Sequence, residues 1–220
     1  MATDKILWRR WIFKYSIGEL IGIGAAASLA RLLFVNYPQG TVPSTSTLTI
    51  FILFVAGISE GLIIGYIQWR SLSKLVPSFT PLLWIFVTTF ATLAGWLFIL
   101  PPGIMVISFL AQVSLISSSN SILYTMLVGI AFGGLVGFPQ FFIMRKYFHK
   151  AAIWVVSNAL GWMISFLIIY LSLLIFKYTS SFLLSFLLFA FACALSGLLQ
   201  GMITGYALHF LMPVREIETV

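Results

Sequence analysis

Six long apolar segments restrict what this chain can fold into. Each is about 20 residues long or longer, the length that an α-helix needs to cross the hydrocarbon core of a bilayer. They cover approximately residues 12–35, 48–69, 81–100, 122–144, 152–176 and 182–211. A segment in lipid must satisfy its own backbone hydrogen bonds, which helices do. We therefore expect an all-α integral membrane protein, a bundle of six transmembrane helices forming a single domain over residues 1–220.

The composition agrees with a membrane protein and disfavours several other classes. Hydrophobic residues make up 61% of the chain and charged residues only 8%, whereas a soluble domain carries about 25% charge. The net charge of +7 comes from Lys and Arg at the ends of apolar segments, so we predict no nucleic-acid binding. The single cysteine, Cys193, and two distant histidines, His149 and His209, predict no disulfide framework, no metal site and no cofactor.

Basic residues divide the connections between segments into two sets. The N-terminus, the second connection and the fourth connection are positive, through residues such as Arg9, Arg70 and Arg145. The first and third connections carry no charge, and Lys177 in the fifth is the one exception. The positive-inside rule then predicts that both termini are cytoplasmic.

The third connection is unusually apolar. Pro101, Pro102 and Gly103 are expected to end the third helix, yet the chain stays apolar over much of 103–120. Such a segment is too short to cross the bilayer. We expect it to be a helix lying on the outer surface or a lid over the outer mouth of the bundle.

Glycines spaced by four recur in the even-numbered segments and are followed by a glutamine. The second and fourth segments share this pattern at an offset of 72 residues, and the sixth has similar spacing around Gln200. A spacing of four keeps small residues on one stripe of a helix, which lets backbones approach closely in lipid. We predict an internal repeat of three hairpins, over approximately 12–69, 81–144 and 152–211, whose stripes face one another. The predicted packing residues are Gly18, Gly22, Ala26, Gly57, Gly61, Gly65, Gly129, Gly133, Gly137, Gly161, Gly197, Gly201 and Gly205.

Three charged side chains fall inside the predicted helices: Glu19, Arg31 and Glu60. A charge at the bilayer centre costs about 2.5–3.5 kcal/mol, so each is a candidate functional residue. At 1.5 Å per residue, Glu19 and Glu60 lie about 12 and 14 Å from the cytoplasmic ends of adjacent helices, so they could share a proton or hold a cation. The alternative is that they are protonated or amide-bonded and lock the bundle. Arg31, about 18 Å beyond Glu19, is expected to anchor at the outer interface.

Amide side chains complete the candidate site. The glutamines are predicted either to bond between helices or to line a path for a polar solute or ion. The residues of this candidate polar, ion or solute site are Glu19, Glu60, Gln68, Gln140, Asn158 and Gln200.

The G-x-x-x-G-x-x-Q-[WF] hairpins, with Trp154 and Gly161-Trp162 at the head of the next segment, resemble a loose group of bacterial polytopic membrane proteins. This resemblance implies a multi-span helical fold in a bacterial inner (cell) membrane, and it implies no known activity. The sixth segment departs from the pattern, because Gly201 stands where the others have an aromatic residue.

Function is predicted only in outline. The fourth segment, GIAFGGLVGF, has no serine for a rhomboid-like protease, and zinc-protease and phosphate-loop motifs are absent, so we do not expect an enzyme. The architecture is similar to the substrate-binding membrane subunits of energy-coupling-factor transporters. We therefore predict a component for small-solute transport or substrate capture. The alternative is an accessory or scaffold subunit, and in either case the predicted partners are the bilayer and another membrane protein or a second copy.

Overall fold

The computed structural model describes residues 8–22, 24, 47–101, 118–176 and 181–213, and the structural statements below concern those residues. They form six helices and one short pair of strands. In chain order these are α1 (8–22), α2 (Thr47–Leu72), α3 (Pro81–Ala94, continued by a π-helical turn, Gly95–Ile99), α4 (Ser118–Met144), β1 (Phe148–His149), α5 (Ala152–Phe176), α6 (Phe182–Ala207, continued by a 3-10 turn, Leu208–Phe210) and β2 (Met212–Pro213).

Five of these helices, α2 to α6, are long and apolar enough to cross a membrane. The prediction of a helical membrane protein is confirmed at that level. The described part of α1 is shorter, and the rest of the predicted first span, including Ala26 and Arg31, lies outside the described residues. So does most of the apolar segment 103–120, whose last residues begin α4. The count of six spans and the side of each terminus remain predictions.

The helices begin where the sequence supplies starting signals. Pro81 occupies the first turn of α3, where its missing N–H is not needed. Ser181 caps α6 by accepting a hydrogen bond from the Leu184 backbone N–H at 3.3 Å. Pro139 lies inside α4 without ending it, as membrane helices permit when neighbouring helices support the freed groups.

The helices pack in chain order around a ring. Each of α2 to α5 contacts the helix that follows it. Helix α1 contacts α2, where Gly18 lies against Ile67, and it also contacts α6, where Gly201 lies against Ile12. The ring is therefore closed by the first and last helices. One end of the bundle is basic, and we call it the basic end. Arg10 lies there near the start of α1, Arg70 at the end of α2, Arg145 just after α4 and Lys150 just before α5.

The glycine stripe of each even helix lies against the next odd helix. A Cβ atom added at Gly61 would lie 2.5 Å from Thr89 Cα of α3, and one at Gly133 would overlap the Asn158 carbonyl of α5. In α6 the corresponding approach is Gly197 against Ser16 Cα of α1, at 2.9 Å. The same contact thus occurs three times around the ring, and a methyl group would force each helix pair apart.

The expectation that small-residue stripes face one another is wrong. Gly18 and Gly22 of α1 lie against Ile67 and Glu60 of α2, and Gly161 of α5 lies against Gln200 of α6. The glycine stripes of the even helices instead meet the backbone of the neighbouring odd helix, at residues such as Thr89 and Ser16. Two helices therefore approach closely without a second glycine stripe between them.

Candidate functional site

Three tryptophans form a layer inside the basic end of the bundle. Trp11, Trp84 and Trp154 come from α1, α3 and α5, and each is fully buried. Ring centroids are 6.0 Å apart for Trp11 and Trp154 and 6.1 Å apart for Trp84 and Trp154. We call these three residues the tryptophan layer. It occupies the bundle axis between the basic end and the carboxyl groups described below.

The even helices supply acceptors to the tryptophan layer. Trp154 Nε1 donates to Gln140 Oε1 at 2.7 Å, and Trp11 Nε1 donates to Thr204 Oγ1 at 3.0 Å. Gln140 Nε2 in turn donates to Gln68 Oε1 at 3.0 Å. These contacts assign Thr204, not Gln200, to the position that Gln68 and Gln140 hold.

The sequence of α6 agrees with this assignment once it is realigned. GLIIGYIQ in α2 and GGLVGFPQ in α4 correspond to GLLQGMIT in α6, a G-x-x-x-G-x-x-[QT] pattern. The reading of Gln200 as the third repeated glutamine is therefore wrong. Gln200 lies one helical turn deeper than the tryptophan layer, at the level of Ile64 and Val136.

The Tyr15 hydroxyl group connects the glutamines to that deeper level. It accepts a hydrogen bond from Gln68 Nε2 at 3.1 Å. The groups around Gln200 favour the amide orientation in which its oxygen accepts from Tyr15 Oη at 3.2 Å and from Trp162 Nε1 at 3.0 Å. One chain of hydrogen bonds thus runs from Trp154 through Gln140, Gln68 and Tyr15 to Gln200.

The chain of hydrogen bonds ends at two buried carboxyl groups. In the same orientation Gln200 donates to Glu19 Oε1 at 3.2 Å. The Glu19 and Glu60 carboxyl groups lie within hydrogen-bonding reach of each other, and both are fully buried. Trp96 Nε1 donates to Glu60 Oε2. No donor among the described residues reaches the remaining oxygens, Glu19 Oε2 and Glu60 Oε1.

Trp96 reaches Glu60 from the π-helical turn of α3, Gly95–Ile99. Such a turn adds a residue to the helical register and so redirects the side chains beyond it, and it occurs frequently at functional sites. At the same turn Gly95 lies against the Phe132 ring, which a Cβ atom would meet at 2.5 Å. The turn therefore brings an N–H donor to the carboxyl pair.

The carboxyl pair occurs at only one of three corresponding places in the ring. By the helix contacts given above, Glu19 corresponds to Thr92 of α3 and Trp162 of α5, while Glu60 corresponds to Phe132 of α4 and Ser196 of α6. All of these side chains are buried. The bundle thus accommodates neutral side chains at the corresponding positions, so its architecture does not require carboxyl groups here.

The electrostatics of the pair restrict its state. Among the described residues, no lysine or arginine forms an ion pair with Glu19 or Glu60. An isolated buried charge is costly, and two close carboxyl groups resist ionising together. Ser196 Oγ, at the level of Glu60, is also buried without a hydrogen-bond partner. The arrangement can therefore share a proton or bind a small positive group.

The structure separates the six candidate polar residues into two levels and one outlier. Gln68 and Gln140 bond within the tryptophan layer, and Gln200 joins Glu19 and Glu60 at the deeper level. Asn158 does not reach the carboxyl groups, since its Nδ2 donates to the Trp154 carbonyl at 2.9 Å and its Oδ1 has no hydrogen-bond partner.

Sequence reasoning missed several residues of the network, among them Tyr15, Trp96, Trp162 and Thr204. Tyr15 had a usable signal, because it lies four residues before Glu19 on one face of α1. Thr204 was signalled by the G-x-x-x-G-x-x-[QT] pattern. Trp96 had no such signal, since its direction depends on the π-helical turn.

Comparison with known proteins does not indicate what this site binds. No protein-family model, no curated protein and no solved structure matches the chain.

Proposed function

We propose that the protein takes part in small-solute transport or solute capture, with the Glu19–Glu60 pair as its polar centre. The observation that carries this proposal is a pair of fully buried carboxyl groups on neighbouring helices, each with one oxygen that accepts from no donor in the described part of the chain. Residues of this kind inside a membrane protein mark ion or substrate pathways by default. The neutral residues at the corresponding positions, such as Thr92 and Phe132, support a role beyond packing.

The surroundings of the pair favour a proton over a metal ion. The two partnered oxygens accept from N–H donors, Trp96 Nε1 and Gln200 Nε2, which stabilise a carboxylate but repel a cation. A cation such as Ca²⁺ takes about 6–8 oxygen ligands, whereas a proton needs only the two facing carboxyl oxygens. In this proposal the pair takes up and releases a proton as solute moves.

The tryptophan layer supports proton exchange from the end of the bundle opposite the basic end. Twelve buried residues form one apolar cluster at the basic end, and the β1–β2 pair closes that end further. They are Trp11, Tyr15, Ile64, Leu72, Phe79, Trp84, Ile143, Met144, Phe148, Ala151, Trp154 and Leu211. If the positive-inside rule holds, the end of the bundle opposite the basic end faces the outside of the cell.

The finer architecture belongs to the same proposal. We propose six spans with both termini cytoplasmic, in a bacterial cell membrane, and an internal repeat of one hairpin three times. Support comes from the recurring contact at Gly61, Gly133 and Gly197 and from the tryptophan that recurs in α1, α3 and α5.

Uptake into vesicles tests the proposal. Proteoliposomes with an acidic exterior would be exposed to a mixed pool of small metabolites, and retained solutes would be identified by mass spectrometry. We expect enrichment of specific solutes with the native protein and loss of that enrichment with Glu60→Gln. Glu216→Gln, which removes a carboxyl group from the C-terminal tail, is the matched control. Equal solute profiles for empty, native and Glu60→Gln vesicles would contradict transport.

A second candidate function is that of an accessory subunit bound to another membrane protein. It is favoured by a groove of about 470 Å³ on the outer face of α5 and α6. Its lining includes Trp8, Ile153, Leu160, Met202 and Tyr206. Purification in mild detergent should then recover a stoichiometric partner, while a monomer carrying a bound solute would favour the first proposal.

A further inference from the structure

Four cations lie together where α1 and α2 meet at the basic end of the bundle. Arg10 and Lys14 are one helical turn apart on α1, whereas Arg70 lies in the last turn of α2 and Lys74 lies in the turn that follows α2. Residues spaced by four on a helix share a face, as Arg10 and Lys14 do. The two helices and this turn thus present four positive charges, and we call these four residues the basic cluster.

Packing between α1 and α2 brings the two pairs together. The Tyr15–Gln68 hydrogen bond, at 3.1 Å, joins the helices directly beside Lys14. One turn deeper, a Cβ atom at Gly18 would lie 2.7 Å from Ile67 Cδ1. The positive charges of Lys74, Arg70 and Arg10 all lie close enough to the Lys14 ammonium group to repel it electrostatically.

The turn after α2 holds Lys74 in place. Its backbone N–H donates to the Ser71 carbonyl at 3.3 Å, and Trp69 Nε1 donates to the Phe79 carbonyl at 3.2 Å. The backbone of α2 and of the turn that follows it therefore fixes the positions of Arg70 and Lys74.

The described residues supply no negative charge to this cluster. The two described acidic residues, Glu19 and Glu60, are fully buried inside the bundle, where they hydrogen-bond with Gln200 and Trp96. Close like charges repel, and a concentrated positive field attracts counter-ions. An anion from outside the described chain would relieve that repulsion.

Apolar surface beside the cluster indicates where the anion comes from. Phe13 and Ile17 of α1 and Tyr66 of α2 are 67%, 39% and 53% exposed. They lie next to the cluster and toward the middle of the helices, where lipid chains would cover them. Tyr66 and Trp69 also pair, with ring centroids 5.7 Å apart, as aromatic residues do at a membrane interface.

We propose that the basic cluster binds the phosphate of an anionic phospholipid in the leaflet at the basic end. Arg70 and Arg10 can hold phosphate oxygens through paired N–H donors, and Lys14 and Lys74 add point charges. The acyl chains lie along Phe13, Ile17 and Tyr66. This site is distinct from the carboxyl pair and does not depend on any solute.

The chain offers a matched control at the end of α4. Arg145 and Lys146 are exposed, and the Arg145 guanidinium group lies 4.9 Å from the Phe142 ring centroid. Removing these two charges changes the net charge as much as removing Lys14 and Lys74. The two double variants therefore separate a specific site from general attraction to an anionic membrane.

Native mass spectrometry after extraction from vesicles of equal phosphatidylglycerol and phosphatidylcholine tests the proposal. We expect a phosphatidylglycerol adduct that Lys14→Gln/Lys74→Gln weakens by about tenfold. Arg145→Gln/Lys146→Gln should retain it. Arg10→Gln/Arg70→Gln, a second variant of the site, should lose it as well.

Three results would overturn the site. They are equal loss of the adduct in the site variants and the control, equal retention of both lipids by the native protein, and displacement of the lipid by millimolar inorganic phosphate. The last result would show a site for the free ion.

Discussion

Gln140 Nε2 donates a hydrogen bond to Gln68 Oε1 at 3.0 Å, and the two residues are 72 positions apart in the chain. That separation equals the offset between the two glycine–glutamine segments, so the bond joins corresponding positions of α2 and α4. Side chains at corresponding positions of a ring can touch only near its centre. The glutamines therefore lie at the axis of the bundle, where each must satisfy the other.

Removing the Gln140 amide should destabilise the bundle. Gln140→Leu leaves Trp154 Nε1 without an acceptor and Gln68 Oε1 without a donor, and each unsatisfied buried group costs about 1–3 kcal/mol. Thermal unfolding in detergent, followed by tryptophan fluorescence, measures the change. The exposed Phe138, two residues away on α4, provides a control as Phe138→Leu. Equal melting of both variants would show that the network contributes nothing.

Two of the three tryptophans, Trp154 and Trp84, should contribute unequally to the free energy of unfolding through their indole N–H groups. Trp154 donates to Gln140 at 2.7 Å, but Trp84 Nε1 is buried and has no hydrogen-bond partner among the residues that the structure describes. Trp154→Phe should therefore cost about 1–2 kcal/mol more than Trp84→Phe, since only the former breaks a hydrogen bond. Guanidinium or SDS unfolding of the two variants gives the comparison. A larger loss in Trp84→Phe would contradict the assignment of partners.

Two glycines of the even helices should differ in their tolerance of a methyl group. Gly61→Ala places Cβ 2.5 Å from Thr89 Cα, so α2 and α3 must separate, at a cost of about 1–3 kcal/mol. An added Cβ at Gly134 would meet no described atom within 4 Å beyond its chain neighbours and the nearby backbone of its own helix. Gly134→Ala should therefore be neutral or stabilise α4 by up to about 1 kcal/mol. Melting temperatures of the two variants decide the matter.

The carboxyl pair should carry a proton at neutral pH. Two facing buried carboxyl groups without a described cation hold a proton between them, because full ionisation would place two charges together in a dry site. Infrared spectra should show a protonated-carboxyl band that shifts in D₂O. Glu60→Gln should remove or shift this band, whereas Glu218→Gln in the tail should leave it in place. A native spectrum without any protonated-carboxyl band would exclude the shared proton.

Helix positions followed from the sequence because lipid leaves few options. The second predicted segment, 48–69, became Thr47–Leu72, and the fifth, 152–176, became Ala152–Phe176. The rise per residue also placed Glu19 and Glu60 at one depth on adjacent helices, and the structure brings them together.

The rest of the site depends on rotation and register, which composition does not encode. Asn158 was expected near the carboxyl groups, yet it lies one turn from Trp154 and bonds to that residue's carbonyl. The glycine–glutamine spacing predicts Gln200 as the third repeated residue. Thr204 takes that position in the structure, and the pattern does not indicate it because a threonine replaces the glutamine. The direction of Trp96 depends on the π-helical turn, at which Gly95 lies against the Phe132 ring, and no sequence pattern indicates that turn.

The closure of the ring by its first and last helices has a consequence for biosynthesis. Trp11 and Thr204 are 193 residues apart, and Tyr15 and Gln200 are 185 apart. A ribosome adds about 5–20 residues per second. Gln200, which donates to the Glu19 carboxyl group of α1, is therefore synthesised many seconds after α1. During that interval the Glu19 carboxyl group lacks its Gln200 donor, so water or another polar group must solvate it. Helix α6, the last described helix to be synthesised, therefore completes the burial of α1, the first.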